Sequence, residues 1–556
     1  MKPALFAFVI FGLSALPGLA QPKPHNVIIF VADGLRYNSV EPNNTPHMAR
    51  LKAQGVDFTN SHSLFPTITT VNASAIATGH YIGDTGDFGN TIYVGQPMDS
   101  LKGATLAGLE NDQVLAEMNR KFDGNYLNET TLIAAARARG WQTATIGKTG
   151  PTRIQDSTAD PEQTLVLDDA TGTESGLPLP AWFKEAMKAA HMEDAAPKSA
   201  VPNIEQEVWL TKAATRIVLP RFKEGGKPFI LFFWSRDPDM SQHNTRDSLG
   251  ELRPGINGPS GEAGRRDADT ILGALQDTLK TLGLDQTTDI FVTADHGFAT
   301  VSHDDNGRDI PAGMMTADLA KMLNLPQPKP GYFGADADKP DVVVAGNGGA
   351  DLIYLPNENA QSLAANIVPF LEAQSYVSGI FVNDRLGKFP GALAMSDLNL
   401  MGSARTPQPA IYVNFRSFSS CGDNLLCGVE VGDTALQTGQ GNHGSLGRAE
   451  TRNFMAAMGP DFKKGYADPA PISNADIAPT LAQIMGIDLP GRGALKGRVI
   501  SEALAGGKPV SVSRKVVASD PGPGGMRTYL DEQSVGQARY FDAAGFEGRT
   551  FGLVTH

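Results

Sequence analysis

The sequence predicts an α/β protein built on a doubly wound, mostly parallel sheet. Three apolar runs, NVIIFVADG, PFILFFWSRD and DIFVTADHG, have the length and the β-rich composition of buried strands. Helical segments separate these runs along the 556 residues. Such an alternation of strand and helix is typical of a parallel sheet that helices cover on both faces.

The elements follow in order from this pattern. The first strand, at 26–36, precedes a helix at 45–55, with Pro46 at the first helical position and Gly55 as its stop. The segment SLFPTITTVNASAIATGH is predicted as a loop that enters a helix. A helix at 131–140 leads into the strand WQTATIG. Residues 205–222 are expected to be helical before the strand at 228–234, and DADTILGALQDTLKTLG before the strand at 289–294.

The alternation of strands and helices is interrupted in the second half of the chain. A region rich in Gly and Pro holds short strands around one helix at 360–374, and we interpret it as an inserted lobe. The expected segments are a signal peptide at 1–20, a catalytic core in two parts at 21–305 and 441–505, the inserted lobe at 306–440, and a C-terminal closing segment at 506–556, part of it a Gly/Pro-rich linker.

The first twenty residues predict export. A basic start, Met1-Lys2, precedes the apolar ALFAFVIFGLSALPGLA, which ends in a small-residue cleavage site. The alternative is a membrane anchor, but the apolar stretch is short and Pro17 interrupts it. No later stretch is long and apolar enough to span a bilayer. We therefore expect a secreted or periplasmic protein with no membrane span in its mature chain.

The two cysteines agree with an exported protein, and the net charge limits the kinds of molecule that it is expected to bind. The chain has two cysteines, Cys421 and Cys427, which an oxidising compartment is expected to join in a local disulfide. The formal net charge of −13 argues against nonspecific binding of nucleic acid. It does not exclude an anionic substrate, because bound cations dominate the field of a site. The sequence does not indicate an oligomeric state.

Metal-ligand residues stand at the ends of the three apolar runs and at a fourth site, GNHGS. Ligands of parallel sheets bind beyond the carboxyl ends of the strands, so these residues are expected to converge. Carboxylate and imidazole groups suit zinc, and also manganese or iron. Three carboxylates and three imidazoles are enough for two divalent ions. The predicted ligands are Asp33, Asp239, His243, Asp295, His296 and His443.

A nucleophile is expected in the stretch FPTITTVN. A hydroxyl that coordinates a divalent cation has a lowered pKa, and a helix N-terminus favours the negative charge of a phosphate. The alternative is a Thr-rich helix cap without a catalytic role. Composition alone does not choose among Thr67, Thr69 and Thr70.

Together these motifs resemble the alkaline phosphatase superfamily, in particular its type I phosphodiesterase/nucleotide pyrophosphatase branch and the threonine-dependent alkaline phosphatases. The resemblance rests on the first Asp-Gly strand, the TPHMARLKAQG helix, the ligand motifs in their order, and the closing ISNADIAPTLAQIMGI segment. In these families the nucleophile lies nine residues before a Thr-Gly pair, which selects Thr69 from Thr78-Gly79. An asparagine 21 residues after the nucleophile, here Asn90, contacts the phosphoryl oxygen.

The resemblance also implies two Zn²⁺ ions and a mechanism. One zinc would be held by Asp239, His243 and His443. The other would be held by Asp33, Asp295 and His296, with Thr69 bridging towards it. Thr69 would attack phosphorus to give a phospho-threonine, which water would then hydrolyse.

The substrate is expected to be a small-molecule phosphate ester, of a kind that the sequence leaves open. Lys148 and Arg153 resemble the basic pair with which threonine-dependent phosphomonoesterases hold a dianionic phosphate, although their spacing differs. Lys148 can equally be a solvated surface charge, so monoester and diester hydrolysis both remain possible. Two alternatives are a sulfatase-like hydrolase of the same fold, which lacks the required C-x-P-x-R or S-x-P-x-R motif here, and an inactive metal-stabilised binding protein.

Overall fold

An eight-stranded sheet forms the centre of the fold in the computed structural model, which describes residues 25–305 and 307–555. In space the strands lie in the order β8-β2-β7-β6-β1-β5-β3-β4, and only β7 runs antiparallel to its neighbours. The predicted α/β class with a mostly parallel sheet is confirmed. The predicted signal peptide lies outside the described residues. The strands are β1 (Asn26–Ala32), β2 (Val56–Phe58), β3 (Gln142–Gly147), β4 (Leu165–Asp168), β5 (Phe229–Ser235), β6 (Thr288–Thr293), β7 (Met455–Met458) and β8 (Tyr466–Asp468).

Both faces of this sheet are buried. Along β1 the side chains alternate: Val27, Ile29 and Val31 pack into one hydrophobic core, whereas Ile28 and Phe30 pack into another. A strand that is covered on both sides must be apolar throughout, which explains the unbroken runs in the sequence. The carboxyl ends of β5, β1 and β6 therefore lie side by side at one edge of the sheet.

Five helices position the candidate site: α1 (Pro46–Gln54), α2 (Thr69–Thr78), α3 (Pro151–Gln155), α4 (Asp239–His243) and α5 (Pro259–Thr281). Helix α5 begins eight residues before the predicted start at Asp267. Its early glycines allow a close approach to neighbouring segments, since a Cβ on Gly264 would lie 2.7 Å from the Ser241 Cβ. The other α-helices are Ile82–Thr85, Asp112–Lys121, Leu132–Ala138, Ala181–Ala189, Ile204–Lys212, Leu219–Gly225, Met314–Leu323, Ala360–Glu372, Arg448–Thr451 and Ile477–Met485.

A second, six-stranded sheet occupies much of the region between 332 and 415. It packs on the core through Phe65, whose ring lies 5.5 Å from that of Phe381 and 5.6 Å from that of Tyr412. The independence of a lobe at 306–440, like the other domain boundaries, stays a prediction. The strands, in spatial order, are Tyr332–Phe333, Val342–Gly346, Ala350–Tyr354, Ile411–Phe415, Val377–Val382 and Leu393–Ala394.

The C-terminal segment is more regular than the linker expected after about residue 505. It forms a three-stranded antiparallel sheet of Ser513–Ala518, Thr528–Val535 and Ala538–Phe546. Buried aromatic and aliphatic side chains on these strands supply a packed face, and Asp542 pairs with His62 of the core at 2.9 Å. Within the described residues, no helix is long and apolar enough to cross a membrane. The remaining strands are Ser61–His62, Thr91–Met98, Ala104–Gly108, Ala299–Val301, Asp304–Asp305, Arg308–Asp309, Ser417–Ser419, Gly428–Glu430, Gly441–Asn442 and Ile472–Ser473.

Candidate active site

The six predicted metal ligands converge at the carboxyl edge of the central sheet. Asp33 follows β1, Asp239 begins α4 just beyond β5, and Asp295 with His296 follows β6. Because these three strands are neighbours, side chains distant in sequence meet here. His443 joins them from the loop after the short strand Gly441–Asn442.

One set of ligand atoms surrounds His296. Its Nε2 lies 3.1 Å from Asp295 Oδ2 and 3.6 Å from Asp33 Oδ1, and all three residues are fully buried. Burial disfavours the charged imidazole, yet the carboxylates of Asp295 and Asp33 raise the pKa of His296 to about 9. Burial, with the charges of Asp239 and Asp295, raises the pKa of Asp33.

A second set surrounds Asp239. Its Oδ1 lies 3.2 Å from the Nε2 of His243 and 3.6 Å from the Nε2 of His443. The outer nitrogens of these two imidazoles face backbone carbonyl oxygens, His243 Nδ1 that of Gly441 and His443 Nδ1 that of Thr67, each at 2.8 Å. Such contacts fix the ring orientation and leave Nε2 free to bind a metal.

The donor set fits metal ions. The buried atoms Asp33 Oδ1, Asp239 Oδ1 and Asp295 Oδ2 have no hydrogen-bond partner among the described residues. They are aimed into the same cluster as the imidazole nitrogens, and this mixture of oxygen and nitrogen ligands suits a divalent cation. The two sets are contiguous, because the rings of His296 and His443 stack with centroids 3.6 Å apart and His296 lies within ligand reach of both sets.

Thr69 is the threonine that faces this cluster. Its Oγ1 lies 3.3 Å from His296 Nε2, and Thr69 is the first residue of α2. The Thr67 hydroxyl instead donates to the carbonyl oxygen of Ser445 at 2.8 Å, and that of Thr70 donates to the carbonyl oxygen of Gly89 at 3.0 Å. The geometry thus favours the residue that the spacing selected.

Asn90 lies beside the first turn of α2. Its Oδ1 accepts a hydrogen bond from the Thr70 backbone N–H at 3.0 Å, which fixes the carboxamide. Its Nδ2 lies 3.5 Å from Glu110 Oε2. The amide N–H groups are therefore on the side of the cluster that also holds Glu110.

Lys148 enters the cluster and is buried there. Its Nζ lies 2.9 Å from Asp33 Oδ2, 2.8 Å from Glu110 Oε1 and 3.5 Å from Thr69 Oγ1. Burial opposes its charge, but Asp33 and Glu110 outweigh burial and raise the pKa of Lys148. Lys148 is therefore not a solvated surface charge.

Arg153 does not join the cluster. It lies within α3, where its Nη2 donates to the carbonyl oxygen of Ala159 at 3.1 Å, and its nearest charges are those of Asp156, Asp112 and Asp168. Packing of α3 against α2 buries this side chain away from the metal ligands. Among the described residues no contact joins Arg153 to Lys148 or to a metal ligand, and their pairing around one phosphate stays a prediction.

Two charged residues of the site were not foreseen from the sequence. Arg236 follows β5 directly, and its Nε lies 3.0 Å from Asp169 Oδ2. Burial opposes its charge, but Asp169, Glu110 and Asp239 raise its pKa. The position of Arg236 between a buried strand and Asp239 could have indicated from the sequence that it lies at the site. Glu110 lies in an ordinary-looking loop, GLEND, which carries no such signal.

Elsewhere, the structure joins Cys421 and Cys427 in the predicted disulfide. This is a local link, since only six positions separate the two residues. It closes the loop that holds Leu425–Cys427, a short 3₁₀ turn.

Comparison with known proteins agrees with the geometry. No curated protein matches the chain. One family model does match, described as type I phosphodiesterase / nucleotide pyrophosphatase, and the match spans residues 27–382, well over half of the chain. That span includes five of the six converging ligands, together with Thr69, Asn90 and Lys148. The chain therefore belongs to the type I phosphodiesterase/nucleotide pyrophosphatase family, part of the alkaline phosphatase superfamily.

Proposed function

We propose that the protein is an exported phosphodiesterase that uses two zinc ions and a phospho-threonine intermediate. The family supports hydrolysis of phosphoric esters. The observation that carries the finer proposal is the position of Thr69, whose Oγ1 lies 3.3 Å from His296 Nε2 at the N-terminus of α2. Export is supported by the predicted signal peptide and by the Cys421–Cys427 disulfide.

The zinc ligands in this proposal form two sets. Asp239, His243 and His443 would hold one ion, and Asp33, Asp295 and His296 the other. Bound there, zinc lowers the pKa of a hydroxyl group and stabilises negative charge on oxygen. The nearness of His296 to both sets is consistent with two ions that act on the same substrate.

The chain's own residues orient the reaction. Thr69 Oγ1 would give up its proton to solvent and attack phosphorus. A new P–O bond would form, the bond to the leaving oxygen would break, and the departing alkoxide would take up a proton from solvent. The amide of Asn90 and the ammonium of Lys148 would donate hydrogen bonds to nonbridging oxygens and so stabilise the charge that develops there; their contacts with Thr70 and Thr69 support these roles. Water then hydrolyses the phospho-threonine and restores Thr69.

The charges around Lys148 favour diesters over monoesters. A monoester presents a second negative charge on the transferred group, so its binding gains most from uncompensated cations. Here Glu110 Oε1 lies 2.8 Å from Lys148 Nζ and offsets its charge, and Arg153 lies elsewhere. A monoanionic diester is therefore the better match.

Hydrolysis of bis-p-nitrophenyl phosphate by the zinc-loaded protein tests this proposal. We expect turnover that a chelator abolishes and zinc restores. Thr69→Ala should lower kcat by about 10³-fold or more without loss of bound zinc, since it removes the nucleophile but leaves the six carboxylate and imidazole ligands in place.

Thr70→Val is the matched control, because it removes a neighbouring hydroxyl that bonds to Gly89 instead of facing the cluster. It should retain most of the activity. Undiminished turnover in Thr69→Ala would contradict the nucleophile assignment. Turnover of p-nitrophenyl sulfate alone, or no turnover at full zinc loading, would favour the sulfatase-like or the binding-protein alternative.

A further inference from the structure

Two arginines outside the metal-ligand cluster are buried without a direct ion-pair partner among the described residues. Arg36 is 2% exposed and Arg265 is 7% exposed. The Nε and Nη2 of Arg36 and the Nε and Nη1 of Arg265 have no hydrogen-bond partner among the described residues. Neither side chain forms an ion pair with a carboxylate of that part of the chain. Burial and the charge of Arg265 lower the pKa of Arg36, so the two guanidinium groups repel each other.

Such an arrangement is costly in a folded protein. A guanidinium group remains charged at physiological pH, and its transfer into the interior is unfavourable unless a partner anion compensates it. Buried polar atoms nearly always have hydrogen-bond partners. Four unpartnered donor nitrogens on two cations that repel each other therefore point to an anion that binds between them.

A cavity gives access to this place. It has a volume of about 330 Å³, and Arg265, Asn257, Leu426 and Cys427 line it. Arg36 reaches the same wall, because its Nη1 donates to the Leu426 carbonyl oxygen at 3.2 Å. Asn257 Nδ2 donates to the same carbonyl oxygen at 2.8 Å, so the loop closed by the disulfide forms one side of the cavity.

We propose that Arg36 and Arg265 form a binding site for a small tetrahedral oxyanion of the phosphate or sulfate class. The planar guanidinium group of Arg36 presents its free Nε and Nη2 on one edge, where they match two oxygens of such an ion, and Arg265 adds its free Nε and Nη1 as further donors. A tetrahedral ion has enough oxygens to accept from both arginines, whereas a carboxylate has two oxygens only. The site is separate from the metal ligands and does not depend on the proposed function.

The rim of the cavity restricts the ligand to a small one. The carboxylates of Glu41 and Glu262 line the cavity and are exposed, and they act on Arg265 electrostatically. They oppose the binding of any anion, and most of all that of a larger polyanion whose further charges would lie at the entrance. A bound ion would connect the segment that follows Asp33 with α5 and with the disulfide loop, and should therefore stabilise the fold by linkage.

Thermal unfolding of the zinc-loaded protein in sulfate, with chloride replaced at constant ionic strength, tests the site. We expect Tm to rise with sulfate concentration and to saturate. Arg265→Gln should lose most of this sulfate-dependent rise. Arg266→Gln is the matched control, since it removes the same charge from the next, exposed residue of α5, whose Nη2 donates to Asn44 at the cavity wall. It should keep clearly more of the rise than Arg265→Gln.

Sulfate that binds at the zinc site affects both variants alike, so the difference between them reports on Arg265. Equal rises in Arg265→Gln and Arg266→Gln would overturn the proposal, and so would an equal rise with acetate in the unsubstituted protein. If Arg265→Gln does not fold, crystals of the unsubstituted protein soaked in selenate provide the test. An anomalous peak between the two guanidinium groups supports the site, and its absence at saturating selenate refutes it.

Discussion

In the proposed function, Glu110 would reduce the charge that Lys148 offers to a substrate. The two side chains form an ion pair at 2.8 Å, with Glu110 one-third exposed at the mouth of the cluster and Lys148 buried below it. The partial burial keeps the pair from being fully screened by solvent. A change at Glu110 should therefore alter the recognition of the transferred group more than the chemical step.

Glu110→Gln should shift the preference towards monoesters. The amide keeps the shape of the side chain but removes one of the carboxylates that pair with Lys148, so more of the Lys148 charge is available for a second phosphoryl charge. We expect the ratio of kcat/KM for p-nitrophenyl phosphate to that for bis-p-nitrophenyl phosphate to rise about tenfold, or roughly 1.4 kcal/mol. Glu174→Gln, the same change at an exposed site, should leave the ratio unaltered. An unchanged ratio in Glu110→Gln would mean that the pair does not set specificity.

Single residues also show the limits of inference from sequence. The count from Thr78-Gly79 selected Thr69, and the structure engages the hydroxyls of Thr67 and Thr70 elsewhere. Arg153 was placed near the phosphate only by similarity of a motif. The direction of a long side chain on a short helix depends on packing partners, which a local motif does not contain.

At the scale of elements, the loop that carries His443 depends on one buried carboxylate. Glu450 accepts hydrogen bonds from the backbone N–H groups of Gly444 and Ser445, each at 2.7 Å, and from the Thr67 hydroxyl at 3.0 Å. Thr67 in turn bonds to the outer nitrogen of His443 through its carbonyl oxygen. These contacts fix the loop that carries His443 relative to the segment before α2.

Glu450→Ala should loosen this loop and weaken metal binding. Partners that orient a ligand are worth about 10- to 100-fold in metal affinity. We expect a loss of zinc affinity in that range, measured by competition with a chromophoric chelator, and activity that excess zinc partly restores. Glu450→Gln, which keeps one acceptor oxygen, should lose less. Zinc affinity equal to that of the unsubstituted protein in Glu450→Ala would show that the loop is held by its other contacts.

Across the whole molecule, the strands of the central sheet could be predicted from the sequence more completely than the elements at the periphery. β1, β5 and β6 are buried on both faces, so their composition alone marks them, and their shared direction brings the metal ligands together. The three-stranded C-terminal sheet was missed because nearby glycines and prolines obscured its alternation. Packing against Val377–Val382, a contact distant in sequence, stabilises it.

Extensive burial in the molecule also raises the pKa of some carboxyl groups, so that they keep a proton at a pH where an exposed carboxyl has lost it. Asp267 on α5 is 8% exposed and its Oδ2 has no hydrogen-bond partner among the described residues. Burial and the nearby charge of Asp237 raise the pKa of Asp267 to about 7, from about 4 in an unfolded chain. Between these two values the folded protein holds a proton that the unfolded chain has lost. Its contribution to stability is therefore present at low pH and is lost as the pH rises towards 7.

Asp267→Asn should remove this loss, because an amide does not titrate. At pH 8 we expect the variant to be more stable than the unsubstituted protein by about 2 kcal/mol, seen as a higher Tm. The gain should shrink as the pH falls and should vanish below about 4, where the unsubstituted carboxyl is protonated in both states. Asp277→Asn, on the exposed face of the same helix, should show no such pH-dependent gain. A difference for Asp267→Asn that is constant with pH would mean that the substitution acts through packing instead of through the buried proton.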